Sequence, residues 1–215
     1  MEFITQTIYL FQKGGPVMYL LVACSLFVVA IAVERFLYYR NISGNPQVFQ
    51  QKLQSLLEKQ RFSEAAQFCE QTPAAIAQVA LAGLAAYQRG SQVENALESG
   101  AMLTADRLRE HLDDLSMVVT LAPLLGLLGT VIGMINSFSV LNAQAGQPMA
   151  ITGGVGEALV ATATGLSIAT LALVLHNYFS RRVNRLITDI EQTAALVVSY
   201  VLIKKTGRRE SHEIA

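Results

Sequence analysis

Charge is what this chain has least of. Asp, Glu, Lys and Arg make up 15% of its 215 residues, whereas a soluble domain carries about 25%. Hydrophobic residues reach 52% and mean hydropathy is +0.39, which sets the chain among membrane proteins before any motif is read. It also lacks a charge of one sign. Sixteen basic residues balance sixteen acidic ones, so no basic excess exists to neutralise phosphates, and nucleic acid is excluded as a partner. Cysteine is limited to Cys24 and Cys69. They have neither metal-ligand spacing nor a disulfide framework and read as small apolar fillers. No stretch alternates with period two, so no strand is expected.

Catalytic motifs are missing too. The apolar stretches hold no Ser/His pair, no paired aspartates and no HExxH, and His111 and His176 stand at their edges. The chain is not expected to be an enzyme or to carry a cofactor or a metal. No cleavable signal peptide is read at the start, where Glu2 is acidic and Thr and Gln interrupt the apolar residues. Instead Phe3, Ile4, Ile8 and Phe11 recur at roughly helical spacing. That spacing predicts an amphipathic helix over residues 1–15, lying on the membrane surface.

What is present is three long apolar runs, each able to cross a bilayer, for which about 20 residues suffice. The first, 16–37, opens with Pro16 at a tolerated first-turn position and carries no charge until Glu34 and Arg35. Those two are expected to snorkel at the helix end. The second, 116–141, contains Gly126, Gly129 and Gly133, and the four-residue step between the last two is a small-xxx-small packing signal. Its main polar side chains are Thr130 and Asn136, and Thr130 has an alternative role in bonding its own backbone one turn back. The third, 151–178, follows a loop over 142–150 that has no charge.

Residues 38–115 are polar and form a helical region. Asn45-Pro46 reads as an N-cap followed by proline at the first helical position. Helices are predicted through Glu58, from Phe62 to Cys69, and from Ala74 to Tyr87, closed by Gly90. Ser91 with Glu94 fits a capping box. If the pattern after it is continuous to Leu141, that helix has about 51 residues and a length on the order of 76 Å. Arg107, Arg109, Asp113 and Asp114 read as solvated helix charges. Residues 179–215 continue as a C-terminal helix with a stripe of Leu186, Ile190, Ala194, Val197 and Val201, and then a tail expected to fray.

Basic residues orient the chain. Only Lys13 precedes the first span and none lies in the 142–150 loop. The expected fold is therefore all-α and polytopic, with three transmembrane helices, N-out and C-in, whose long helices extend into the cytoplasm.

Within the third span stands one carboxylate, Glu157. An ionisable group at membrane depth costs roughly 2.5 kcal/mol or more and normally faces protein or water, so Glu157 is the candidate proton-path residue. On a helical wheel it shares a face with Gly153, Ala161 and Thr164. Gly154, Ala158 and Thr162 form one row of small residues, and Ala161, Gly165 and Ala169 form another. Two such rows predict packing on two flanks.

The segments APLLGLLGTVIGMINSF (122–138) and ITGGVGEALVATATGLSIA (151–169) resemble the paired signature of the MotA/TolQ/ExbB proton-channel family, and the ExbB/TolQ branch most. The resemblance is tight over 110–180 and architectural elsewhere. It implies a homopentamer in the bacterial inner membrane around a dimer of a one-span ExbD- or TolR-like partner, whose aspartate takes up the proton. Protons would be the transported ion, and the work would pass to a TonB- or TolA-like periplasm-spanning protein. By the same resemblance Glu157 helps line the pore, and Thr130 and Thr162 match its pore threonines. The wheel instead places Thr164 with Glu157 and turns Thr162 about 140° away from Glu157, and both threonines are retained. The alternatives are a flagellar or gliding stator subunit and a non-conducting membrane scaffold.

Overall fold

The computed structural model describes residues 15–42, 44–143 and 148–213. The amphipathic helix expected over 1–15 falls almost wholly outside them. Among the described residues there are seven helices and no strand: α1 (Val17–Ile42), α2 (Pro46–Glu58), α3 (Phe62–Glu70), α4 (Ala75–Gln88), α5 (Val93–Arg109), α6 (Leu112–Ala143) and α7 (Pro148–Glu213). Three helices are long and apolar enough to cross a membrane, and they carry the three apolar runs. The expected all-α, three-span class is the observed one. The chain divides into two compact units, Met1–Glu34 with His111–Tyr178, and Arg35–Glu110 with Phe179–Ala215.

The first unit is built from the apolar parts of α1, α6 and α7. Its core gathers Val17, Met18, Leu21 and Val28 from α1, Val118 and Ala122 from α6, and Ile168, Ala169 and Ala172 from α7. Only 28%, 28% and 33% of the three most apolar stretches is buried within the chain. The remainder is apolar surface, suited to lipid or to other protein.

The second unit follows the sequence closely. Asn45 caps α2, its side-chain oxygen accepting from the Val48 N–H at 3.4 Å, with Pro46 in the first turn. Phe49 stacks on Phe68 at 5.2 Å and Phe62 lies 4.8 Å from Tyr87, tying α2, α3 and α4 together. Gly90 ends α4 with φ +72°, a conformation glycine adopts without penalty. The predicted stripe beyond the third span is real: Leu186, Ile190, Val197 and Val201 are buried. Helix α7 runs on to Glu213, so the tail expected to fray is helical as far as the described residues go.

Three expectations are corrected. The helix from Ser91 to Leu141 is not continuous. It breaks at Glu110 and at His111, whose φ is +62°, a left-handed conformation costing a non-glycine residue about 1–2 kcal/mol. The capping box is also absent: Gln92 is the N-cap of α5 and makes no side-chain cap bond. Its amide oxygen instead accepts from the Asn95 side chain.

The third concerns Arg35, which does not snorkel. It is 3% exposed, with Nη1 donating to the Arg107 carbonyl at 3.2 Å, Nη2 lying 3.7 Å from the Glu110 carboxylate, and the guanidinium 5.0 Å from the Tyr38 ring. Tyr39 donates to the Leu108 carbonyl at 2.8 Å. Arg107 and Leu108 lie in the last turn of α5, whose carbonyls have no intrahelical donor, and a cation is favoured there. Arg35 and Tyr39 thus cap α5 from another helix. Replacing Arg35 by Met should remove about 1.5–3 kcal/mol, seen as a lower melting midpoint by circular dichroism. Arg35→Lys should recover only part, because an ammonium lacks the planar fork that serves several partners at once.

Burial also controls Cys69. It is 2% exposed, and desolvation pushes its thiol from 9.0 up to about 12. The unfolded chain therefore loses this proton first. The contribution is intact below pH 9.0 and declines as pH rises from there toward 12. Folded protein should leave Cys69 unmodified by maleimide at pH 8 and react there only after denaturation, which mass spectrometry reads directly.

Candidate functional site

The site lies in the first unit, where α6 and α7 meet without large side chains. The closeness of the helices is measured by what a Cβ would strike at each glycine. At Gly126 it would lie 3.1 Å from Thr162 Cα and 3.2 Å from the Ala161 carbonyl. At Gly129 it would lie 2.5 Å from Ala161 Cβ, and at Gly133 it would lie 3.0 Å from Ala158 Cβ and 3.1 Å from the Gly154 carbonyl. At Gly165 it would lie 2.6 Å from the Ala122 carbonyl and 3.0 Å from Gly126 Cα. Gly154 faces the Ser137 hydroxyl. Ala158 and Ala161 are buried at 3% and 1%. Backbones this close gain dispersion and Cα–H contacts that lipid cannot replace. The α1 helix also reaches this seam, Val17 lying 3.8 Å from the Cβ position of Gly129.

Both rows of small residues on α7 are thus used inside one chain. Gly154, Ala158 and Thr162 meet Gly133 and Gly126, while Ala161 and Gly165 meet Gly129, Gly126 and Ala122. Within the chain both rows face the same neighbour, α6. A different row of α7 is left exposed: Gly156, Ala163, Ser167, Thr170 and Asn177. Gly156, Ala163, Thr170 and Asn177 stand seven residues apart, the step that keeps one face toward a neighbouring helix. Leu159 and Leu166, three residues after Gly156 and Ala163, flank this row and are 64% and 53% exposed, and Val174, seven residues after Ser167, extends it at 61%.

The four candidate proton-path residues have separate surroundings. Thr162 is half-buried and its hydroxyl donates across the seam to the Gly126 carbonyl at 3.0 Å. Thr130 donates to the Leu127 carbonyl at 2.6 Å, the one-turn-back role left open by the sequence. It borders a shallow groove with Val131, Met134, Ile135, Phe138 and Ser139. Thr164 donates to the Val160 carbonyl at 2.8 Å. Glu157 is half-buried and lies over Gly15, its Oε1 where a Cβ of that residue would be. Within one chain the four are therefore not gathered into a cluster.

One residue was overlooked in the sequence. Ser137 is 3% exposed, donates to the Gly133 carbonyl at 2.8 Å and fills the space opposite Gly154. Its signal was its place four residues after Gly133, on the glycine face. Asn136, singled out instead, is exposed. Among the described residues no three His, Cys, Asp or Glu side chains converge as metal ligands.

Comparison with known proteins agrees with this architecture. The model of the MotA/TolQ/ExbB proton channel family matches residues 69–192. A putative biopolymer transport protein ExbB homolog of Methanothermobacter thermautotrophicus is 30% identical over 193 residues, covering 88% of this chain and 68% of the relative. The putative ExbB-like 1 protein of Synechocystis is 34% identical over 183 residues, covering 80% and 71%. The biopolymer transport protein ExbB of Salmonella typhimurium is 35% identical over 85 residues, covering 39% and 35%. With more than half its length matched by the family model and close to nine-tenths aligned with an ExbB homologue, this chain belongs to the MotA/TolQ/ExbB proton channel family.

Proposed function

We propose that the chain is the ring-forming subunit of an ExbB/TolQ-like motor driven by the proton gradient across a bacterial inner membrane. Several copies, five by the family resemblance, surround the membrane helices of an ExbD/TolR-like dimer. Protons pass through this channel, and the work is delivered to a TonB- or TolA-like protein that reaches the outer membrane. The N-terminus and the 142–150 loop face outward and the second unit faces the cytoplasm.

The observation that carries the reading is the exposed seven-residue row on α7. Its glycine, alanine, serine and threonine, set beside exposed Leu159, Leu166 and Val174, leave room for a close backbone approach between apolar ridges. Such a row, on a helix whose small-residue flank is already packed on α6, suits further protein chains and the water between them. Glu157 and the threonines then supply the few protonatable or hydroxylic groups that a proton route through apolar helices needs.

The test is reconstitution with a one-span partner in liposomes, with proton entry followed by an internal pH-sensitive dye. Native mass spectrometry of the same sample gives the copy number. Thr130→Val combined with Thr162→Val should slow proton entry by about tenfold if hydroxyls and water relay protons, since positioned proton-transfer groups contribute about that much or more. Unchanged entry removes the hydroxyls from the route. Gradient-driven proton entry that is equally fast without the partner would remove the motor reading itself.

A further inference from the structure

Glu157 is seated by the first turn of α1 in its own chain, and this seat deepens the proton-path reading on which it rests. Gly15 has φ +66°, and a Cβ there would collide with Glu157 Oε1 and lie 3.3 Å from its Cδ. Beyond Gly15 the α1 helix begins at Val17, and the Met18 N–H donates to the Gly15 carbonyl at 3.2 Å. A helix start carries partial positive charge that attracts a carboxylate. One turn further along α7, Ala161 presses on Gly129, which also touches Val17. The start of α1 and the outer half of α7 are thus fixed against the same glycine, which holds Glu157 over Gly15. Sequence alone had aimed this carboxylate at a shared pore.

We infer that Gly15 is a positioning residue for Glu157, its missing side chain forming the space that the carboxylate occupies at the start of α1 in the same subunit. Two measurements on the full complex test this. In a chain with Cys24→Ala and Cys69→Ala, the pair Gly15→Cys and Glu157→Cys should be joined by a short bis-methanethiosulfonate within one subunit. The denatured product should run as a monomer that resists maleimide. Joining only between subunits, or none, overturns the inference.

The second measurement is proton entry. Gly15→Ala should lower it by about tenfold, a small misplacement of a working group being enough for that. Glu157→Asp should also lower it. The double variant should conduct better than Gly15→Ala, by about threefold or more, because the shorter side chain leaves room for the new methyl and restores part of the lost positioning. No gain over Gly15→Ala overturns the inference. Gly90 has φ +72° and nothing within 4 Å of a Cβ, so Gly90→Ala carries the strain without the crowding and should keep wild-type entry. An equal loss there would assign the Gly15 effect to strain and overturn the inference. Failure of the proton-path reading looks different: the intrasubunit link forms, yet Glu157→Gln conducts normally.

Discussion

Replacing Glu157 by Gln should leave the complex assembled and cut gradient-driven proton entry by on the order of 100-fold, the usual scale for losing a proton-transfer group. Gln has nearly the same volume and can still fill the space over Gly15, so the seam between α6 and α7 should be undisturbed. It cannot accept a proton. Glu157→Ala should abolish entry as well, without the filler. Dye-based proton entry in liposomes, with size-exclusion of the same complexes, separates loss of transport from loss of assembly. Normal entry in both variants would leave a structural scaffold as the better description of the chain.

The second large effect is expected at Gly165, where the three atoms nearest a Cβ are all backbone: the Ala122 carbonyl at 2.6 Å, Gly126 Cα at 3.0 Å and Gly126 N at 3.2 Å. Backbone cannot rotate out of the way, so α6 and α7 must separate. Overpacking in a closed core costs about 1–3 kcal/mol and sometimes more. Gly165→Val should therefore yield little folded protein, judged by monodisperse elution from detergent. Gly153 is the control, with nothing within 4 Å of its Cβ position; Gly153→Ala should be neutral or gain up to about 1 kcal/mol of helix propensity.

The nature of the obstacle also decides which defects can be repaired. At Gly129 it is the Ala161 Cβ, so Ala161→Gly should rescue Gly129→Ala. Ala122→Gly should not rescue Gly165→Ala, because a carbonyl remains whatever side chain the residue carries.

Much of this architecture was legible because its signals are local or periodic. Length and hydropathy exposed the three apolar helices, Asn45-Pro46 and Gly90 marked helix limits, and the Leu186-to-Val201 stripe marked a buried face. The glycines of 126–133 announced a close approach, but which row of α7 they would meet depends on helix rotation, which spacing alone leaves free. The break after α5 was hidden for another reason. Its left-handed residue is His111 and that after α2 is Gln60, neither of them a glycine, so no residue type betrayed the turns. Arg35 looked like a snorkelling charge because its partners, the Arg107 carbonyl and Glu110, lie more than seventy residues away. Glu157 was found by chemistry, since a carboxylate in an apolar run needs a reason, but its contact with Gly15 is long-range and left no pattern.

The exposed row on α7 has a mechanical consequence. From Gly156 to Asn177 it climbs about 31 Å at ~1.5 Å per residue, which matches the hydrocarbon depth of a bilayer, about 30 Å. Over that distance, side chains along its centre line are mostly one to three heavy atoms tall. A large residue gives a helix deep ridges that lock a neighbour into discrete settings. A low profile offers shallow steps instead. If the proposed ring holds a second helix against this face, the barriers to turning it would be low along the row and higher at Leu159 and Leu166 beside it.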